Sequence, residues 1–157
     1  MNPAIPSVVF DCMIYAQAMI SGAGSAAACF EQVRSHGLRL VWSDYVLQEV
    51  RELPPKLPPR LKLTPQRVEA FIDEIAPLAI QVTLIADLFA NPFDPDDSHY
   101  VNLALAAGAD IITSRDADLL NLMDDKRPEG REFQLRFPQL RILPPEQLLE
   151  MLRRPDR

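Results

Sequence analysis

The stretch Asp94–Leu120, DPDDSHYVNLALAAGADIITSRDADLL, decides the fold. After the turn-forming acids and proline at its start, residues 98–107 are rich in Ala and Leu, and Gly108 stands where a helix would end. Ile111–Thr113 is a short β-branched run that predicts a strand. The polar Ser114–Asp118 segment then leads into a helix around Leu119–Met123. This helix, strand and helix, with acids in both connections, is a unit of an α/β fold.

The same alternation extends outward in both directions. Ser7–Phe10 predicts a buried strand ending at Asp11, followed by helices over 12–20 and 25–36 that break at Ser21–Gly24. Leu38–Trp42 predicts a second strand, and Ser43 can cap a helix to about Leu53. The run PPKLPPRLKL (54–63) is too rich in proline for a helix or an inner strand. Thr64 and Pro65 open a helix to about Ala76, and Ile80–Ile85 predicts the third strand. Leu140–Leu143 is the fifth strand, and PPEQLLEMLRR (144–154) the last helix. Strands alternating with helices imply a mainly parallel sheet covered on both faces, a three-layer α/β/α sandwich. With no repeat and no linker, residues 1–157 are expected to form one domain.

The chain is 48% hydrophobic and 24% charged, which argues against disorder. Its net charge of −6 excludes a uniformly basic nucleic-acid binder. Residues 69–120 carry ten acids against the single base Arg115, while 51–68 carry five bases (Arg51, Lys56, Arg60, Lys62, Arg67) against Glu52. Such an acid-rich block needs a solvated face, a bound cation, or both. Cys12 and Cys29 form no CxxC pair, and the N-terminal residues lack the features of a secretory signal, so a reducing, cytoplasmic setting is expected. Residues 12–30 are uncharged, but Gln17, Ser21, Gly22, Gly24 and Ser25 make them a poor membrane span, so no membrane partner is expected.

In a parallel sheet, the carboxyl ends of strands distant in sequence meet at one edge. Asp11 follows the first strand, Asp116 comes three residues after the fourth, Asp97 precedes a helix, and Glu49 lies two turns into the helix after the second strand. Carboxylates held together repel unless a proton or a cation intervenes. Hard oxygen ligands suit Mg²⁺ or Mn²⁺, and such an ion assists phosphodiester hydrolysis. Each acid also has a plainer reading: Asp96 or Asp97 as a helix cap, Asp116 and Asp118 as turn residues, Glu49 as a solvated side chain. Asp11 is the exception, because a charge abutting a buried strand is costly without a partner. His36 and His99 lack metal-ligand spacing, and solvent exposure is the default for His99. Cys12 is expected to be a small buried thiol and YVNLALAAGAD (100–110) to be core.

VVFDCMIYAQA (8–18), SDYVLQEV (43–50) and DPDDSHYVNLALAAGADIITSRDADLL together resemble PIN-domain ribonucleases of the group that act as toxins in toxin–antitoxin systems. The resemblance runs from about Val8 to Leu149. It implies an endonuclease that cuts single-stranded RNA with Mg²⁺ or Mn²⁺, held in check by an antitoxin protein and assembled as a homodimer or higher homo-oligomer. By position it implies Asp11, Glu49, Asp97 and Asp116 as catalytic and metal-binding acids. Ser114 and Asp118 are supporting candidates, and Asp94 and Asp96 weaker ones. Since the acids repel phosphate, Lys56, Arg60 and Lys62 are the candidates for gripping the RNA backbone. One departure stands out: the family usually places a polar residue, often Asn, where this chain has Met13. Two alternatives compete, a catalytically weak PIN-like domain that binds RNA or protein and a haloacid-dehalogenase-type phosphatase. The second requires DxD, and Asp11-Cys12-Met13 lacks the second acid.

Overall fold

A computed structural model describes residues 4–154; the outermost residues of the expected domain, 1–3 and 155–157, lie outside it. The elements run β1 (Ser7–Phe10), α1 (Cys12–Ile20), α2 (Ser25–Arg34), β2 (Arg39–Trp42), α3 (Asp44–Arg51), α4 (Pro65–Ile75), β3 (Ala79–Gln81), α5 (Ser98–Ala107), β4 (Ile111–Thr113), α6 (Ala117–Leu120), α7 (Pro128–Arg136), β5 (Arg141–Leu143) and α8 (Pro145–Leu152). The five strands form one parallel sheet in the order β3-β2-β1-β4-β5, flanked by helices. The expected α/β architecture is therefore present. Helix α1 packs on α2, α3 and α4, and α8 on α2, whereas α5 lies against β1, β2 and β4.

The inner strands are buried because their residues are apolar on both faces: Val8, Val9, Phe10, Leu40, Val41, Ile111 and Ile112 all lie in the core. Edge-to-face contacts link Phe10, Tyr15, Phe30 and Phe71 under α1, α2 and α4. No single described helix is long and apolar enough to cross a membrane; α1 and α2 meet at 99°.

The register sets the position of the site. Phe10 pairs with Thr113, and the Asp11 N–H donates to the Thr113 carbonyl at 3.1 Å. The chain segments leaving β1 and β4 are thus held side by side, where the strand order reverses and a crevice opens.

Three elements differ from the sequence reading. Strand β3 ends at Gln81 rather than Ile85, because its one neighbour, β2, ends at Trp42 and turns into α3. Beyond the Val82 N–H, which bonds the Trp42 carbonyl, no strand remains to pair with. The helix expected around Leu119–Met123 begins earlier, at Ala117, because Asp116 caps it, and ends in a 3₁₀ turn over Asn121–Met123. Helix α7 carries only one buried apolar side chain, Phe133, and has Gly130 in its first turn, so it shows no apolar stripe. Gly130 is required there: a Cβ would lie 2.1 Å from the Asp124 carbonyl oxygen.

Candidate active site

Each strand-end acid is positioned by local backbone chemistry. Asp11 is the N-cap of α1, with Oδ1 accepting from the Met13 N–H at 2.9 Å and the Ile14 N–H at 3.2 Å. Its Oδ2 accepts from the Ser114 hydroxyl, whose oxygen in turn accepts from the Asp116 N–H at 2.9 Å. Asp116 caps α6 by accepting from the Asp118 N–H at 2.9 Å. Ser114 is fully buried and ties two acids from different strands together.

Glu49 projects from α3 and is held by α5. Its Oε1 accepts from the Tyr100 hydroxyl at 2.6 Å, and the Tyr100 oxygen accepts from the Cys12 N–H at 3.0 Å. His99 Nε2 lies 2.8 Å from the same Glu49 oxygen, at ion-pair distance but not aligned as a hydrogen bond. His99 is only 17% exposed, which corrects the expectation of a solvated imidazole. The reason is local: its ring packs at a tilt against both Tyr45 and Tyr100, with centroid distances of 4.2 and 4.0 Å.

Asp97 precedes α5 but makes no capping hydrogen bond, so the plain helix-cap reading does not describe it. Its Oδ2 is buried without a partner. Asp11, Glu49, Asp97 and Asp116 line one cleft of about 320 Å³ together with Cys12, Met13, Gln17, Tyr100 and Arg115. Asp97 also approaches Asp94 and Asp118, with one oxygen from each of the three within 4.8 Å of the others. Asp94, with Asp96 one of the weaker candidates on sequence grounds, therefore stands beside Asp97 and Asp118.

The crowding shows in the electrostatics. Burial, joined by the charges of Asp116 and Asp94, pushes the Asp97 carboxyl up to about 8. Burial also pushes Asp11 up to about 6, against the opposing hydrogen bonds from Ser114, Ile14 and Met13. Burial would raise Glu49 as well, but His99 and the Tyr100 hydroxyl outweigh it and hold the carboxyl below its ordinary value. The Cys12 thiol is pushed up to about 11, mainly by burial, so it is no thiolate nucleophile near neutral pH.

Lys56, Arg60 and Lys62 do not line the cleft. Tyr100, His99, Gln17 and Arg115 are neighbours of the acids that the sequence reading did not assign. Tyr100 was hidden because it opens a helix read as core, although it lies one turn after Asp97. Arg115 donates to Gln17 Oε1, Ser25 Oγ and Glu146 Oε2, each at 2.9 Å, so its charge is already matched.

No curated protein and no solved structure matches the chain. The family model described as PIN domain matches residues 7–118, which begin with β1, end just beyond Asp116 and contain all four cleft acids. With that match spanning well over half of its residues, the chain belongs to the PIN domain family.

Proposed function

We propose that this protein is a divalent-metal-dependent endoribonuclease that hydrolyses phosphodiester bonds of single-stranded RNA. The family fold is nuclease-like, and the observation that carries the reading is the pair of raised carboxyls at Asp97 and Asp11 beside the orphaned Asp97 Oδ2. Burial and the mutual repulsion of neighbouring acids disfavour ionising these carboxyls together, a cost that a bound cation would offset. An all-oxygen donor set of this kind suits Mg²⁺ or Mn²⁺.

Asp11, Glu49, Asp97 and Asp116 would hold the ion, with Asp94 and Asp118 beside them. A bound divalent cation supplies positive charge against the phosphodiester and acidifies water for in-line attack. The chain's own residues do the rest. Ser114 fixes the Asp11 carboxylate, and Tyr100 fixes Glu49, which stays ionised at neutral pH. Arg51 is engaged with Glu69, Arg67 with the Met19 carbonyl and Lys56, at the long limit of an ion pair, with Glu52 at 3.9 Å; Arg60 and Lys62, joined by the loosely paired Lys56, would track the RNA backbone.

The toxin role, the antitoxin partner, the cytoplasmic setting and a homo-oligomeric state are proposed from the sequence resemblance. A catalytically weak domain is the second reading, favoured by Met13, which puts a thioether in the cleft where the family usually has a polar side chain. Incubating the protein with mixed-sequence single-stranded RNA and Mn²⁺, with and without EDTA, separates the two. Cleavage that EDTA abolishes supports the nuclease; RNA binding in EDTA with no cleavage in Mn²⁺ supports the second reading. Growth arrest on expression, relieved by a co-expressed partner, tests the toxin role.

A further inference from the structure

A second cavity, of about 330 Å³, lies next to the acidic cleft, and His99 joins the two. One side of His99 reaches Glu49 in the cleft, while the residue also lines the second cavity beside Tyr45, Ile85, Pro95, Asp87 and Asp96. Tyr45 is 58% exposed at the start of α3, an unusual place for a large aromatic ring with no core role. It continues an aromatic series from surface to cleft: Tyr45, His99, Tyr100.

The opposite wall is preformed. Asn102 Oδ1 accepts from the Leu88 and Phe89 N–H groups at 3.0 and 2.9 Å, and its Nδ2 donates to the Phe89 carbonyl at 3.1 Å and to Asp87 Oδ1 at 3.3 Å. These bonds hold the 87–89 segment in place before any ligand arrives, which spares the ordering cost of binding.

The chemistry of the lining selects the occupant. Among the described residues no lysine or arginine lines the cavity, and Asp87 and Asp96 do, so a phosphate would be repelled. Aromatic and apolar walls with carboxylate acceptors suit a flat, uncharged ring that offers N–H donors. His99 Nδ1 is a further buried ring nitrogen without a hydrogen-bond partner. The geometry points to a nucleobase subsite: the Tyr45–His99 pocket takes an unpaired base bearing an exocyclic amine, adjacent to the phosphodiester in the acidic cleft. This inference rests on the ribonuclease reading and deepens it by giving the site a base preference.

Cytosine and uracil provide the test, because they share ring size and differ at position 4, where the cytosine amine donates to a carboxylate and the uracil oxygen is repelled by it, leaving uracil only its N3–H to offer. Fluorescence anisotropy in EDTA would measure binding of labelled cytidine and uridine RNA hexamers to the wild type, Tyr45→Ala, Tyr45→Phe and Asp87→Asn. Wild type should bind the cytidine hexamer at least about fivefold more tightly. Tyr45→Ala should weaken it by roughly five- to a hundredfold, the range for one lost base–aromatic stack. Tyr45→Phe should retain affinity, and Asp87→Asn should shrink the preference for cytidine. Because Tyr45 is exposed, its truncation leaves the core intact. Equal affinity of wild type and Tyr45→Ala, or equal binding of the two hexamers, overturns the subsite. If the wild type still cleaves RNA with Mn²⁺, the nuclease reading survives that failure. A wild type that neither binds nor cleaves RNA overturns both.

Discussion

Replacing Asp97 by Asn should stabilise the metal-free protein while removing its activity. The Asp97 carboxyl is raised from 3.8 to about 8, first by burial and then by the charges of Asp116 and Asp94. Between these values the folded state keeps a proton that the unfolded chain releases, so this group's stabilisation is complete below 3.8 and is lost as pH rises towards about 8. At pH 7 the unscreened cost is about 4 kcal/mol, at 1.36 kcal/mol per pH unit. Solvent at this partly exposed group reduces it to about 2 kcal/mol. For a chain of this size that corresponds to a Tm about 4–8 °C higher for Asp97→Asn in EDTA at pH 7. The wild-type Tm should fall between pH 6 and 8, and the variant's should fall less. Saturating Mn²⁺ should reverse the order, since the wild type gains about 2.7 kcal/mol at a hundredfold excess over its Kd. Differential scanning fluorimetry across pH, with EDTA or Mn²⁺, measures all of this. A variant Tm equal to or below that of the wild type in EDTA, with a wild-type Tm flat from pH 6 to 8, would refute the reasoning.

Ser114→Ala removes hydrogen bonds to the Asp11 carboxylate and the Asp116 N–H and should cost about 1.5–3 kcal/mol, read as a lowered Tm; an unchanged Tm would mean that Asp11 is held adequately by α1 alone. Met13→Asn should raise single-turnover cleavage by up to about tenfold with metal affinity unchanged. Asp11 is already oriented by two backbone N–H groups and Ser114, so the new amide would act on substrate; no rate gain with a lowered Tm would identify Met13 as packing. Replacing Lys56, Arg60 and Lys62 together by Ala should weaken RNA binding and flatten its salt dependence by up to about 0.7 in slope per lost contact. An identical slope would assign the RNA path elsewhere.

What could be read from sequence was whatever local patterning encodes. β1, α5 and β4 lie where Ser7–Phe10, the Ala/Leu run closed by Gly108 and Ile111–Thr113 put them, because apolar run, helix propensity and terminator agree there. β3 was overextended because its length is set by where β2 ends, a non-local fact. α7 was missed because it buries a single apolar side chain and depends on a close approach that only Gly130 permits. Asp11 and Asp116 were legible as strand-end carboxylates that parallel topology brings to one edge, and Glu49 and Asp97 as acids on helices beside that edge; all four line one cleft. Their supports were not: Tyr100 and His99 reach Glu49 only across the α3–α5 contact, 51 residues apart for Tyr100 and Glu49. His99 looked solvated because nothing in its own segment reveals that Tyr45, from another helix, covers it.

The central claim is that the four acids form one divalent-cation site whose charge is unbalanced without the ion. Calorimetric titration of Mn²⁺ at pH 7, in buffers of different ionisation enthalpy, tests it directly. Asp97, pushed up to about 8, is mostly protonated before binding and must ionise to ligate, so binding should release about one proton. The observed enthalpy should therefore scale with that of the buffer, and Asp97→Asn should lose both this dependence and most of the affinity. No heat of binding, or a wild-type enthalpy independent of buffer and matched by Asp97→Asn, would contradict the account.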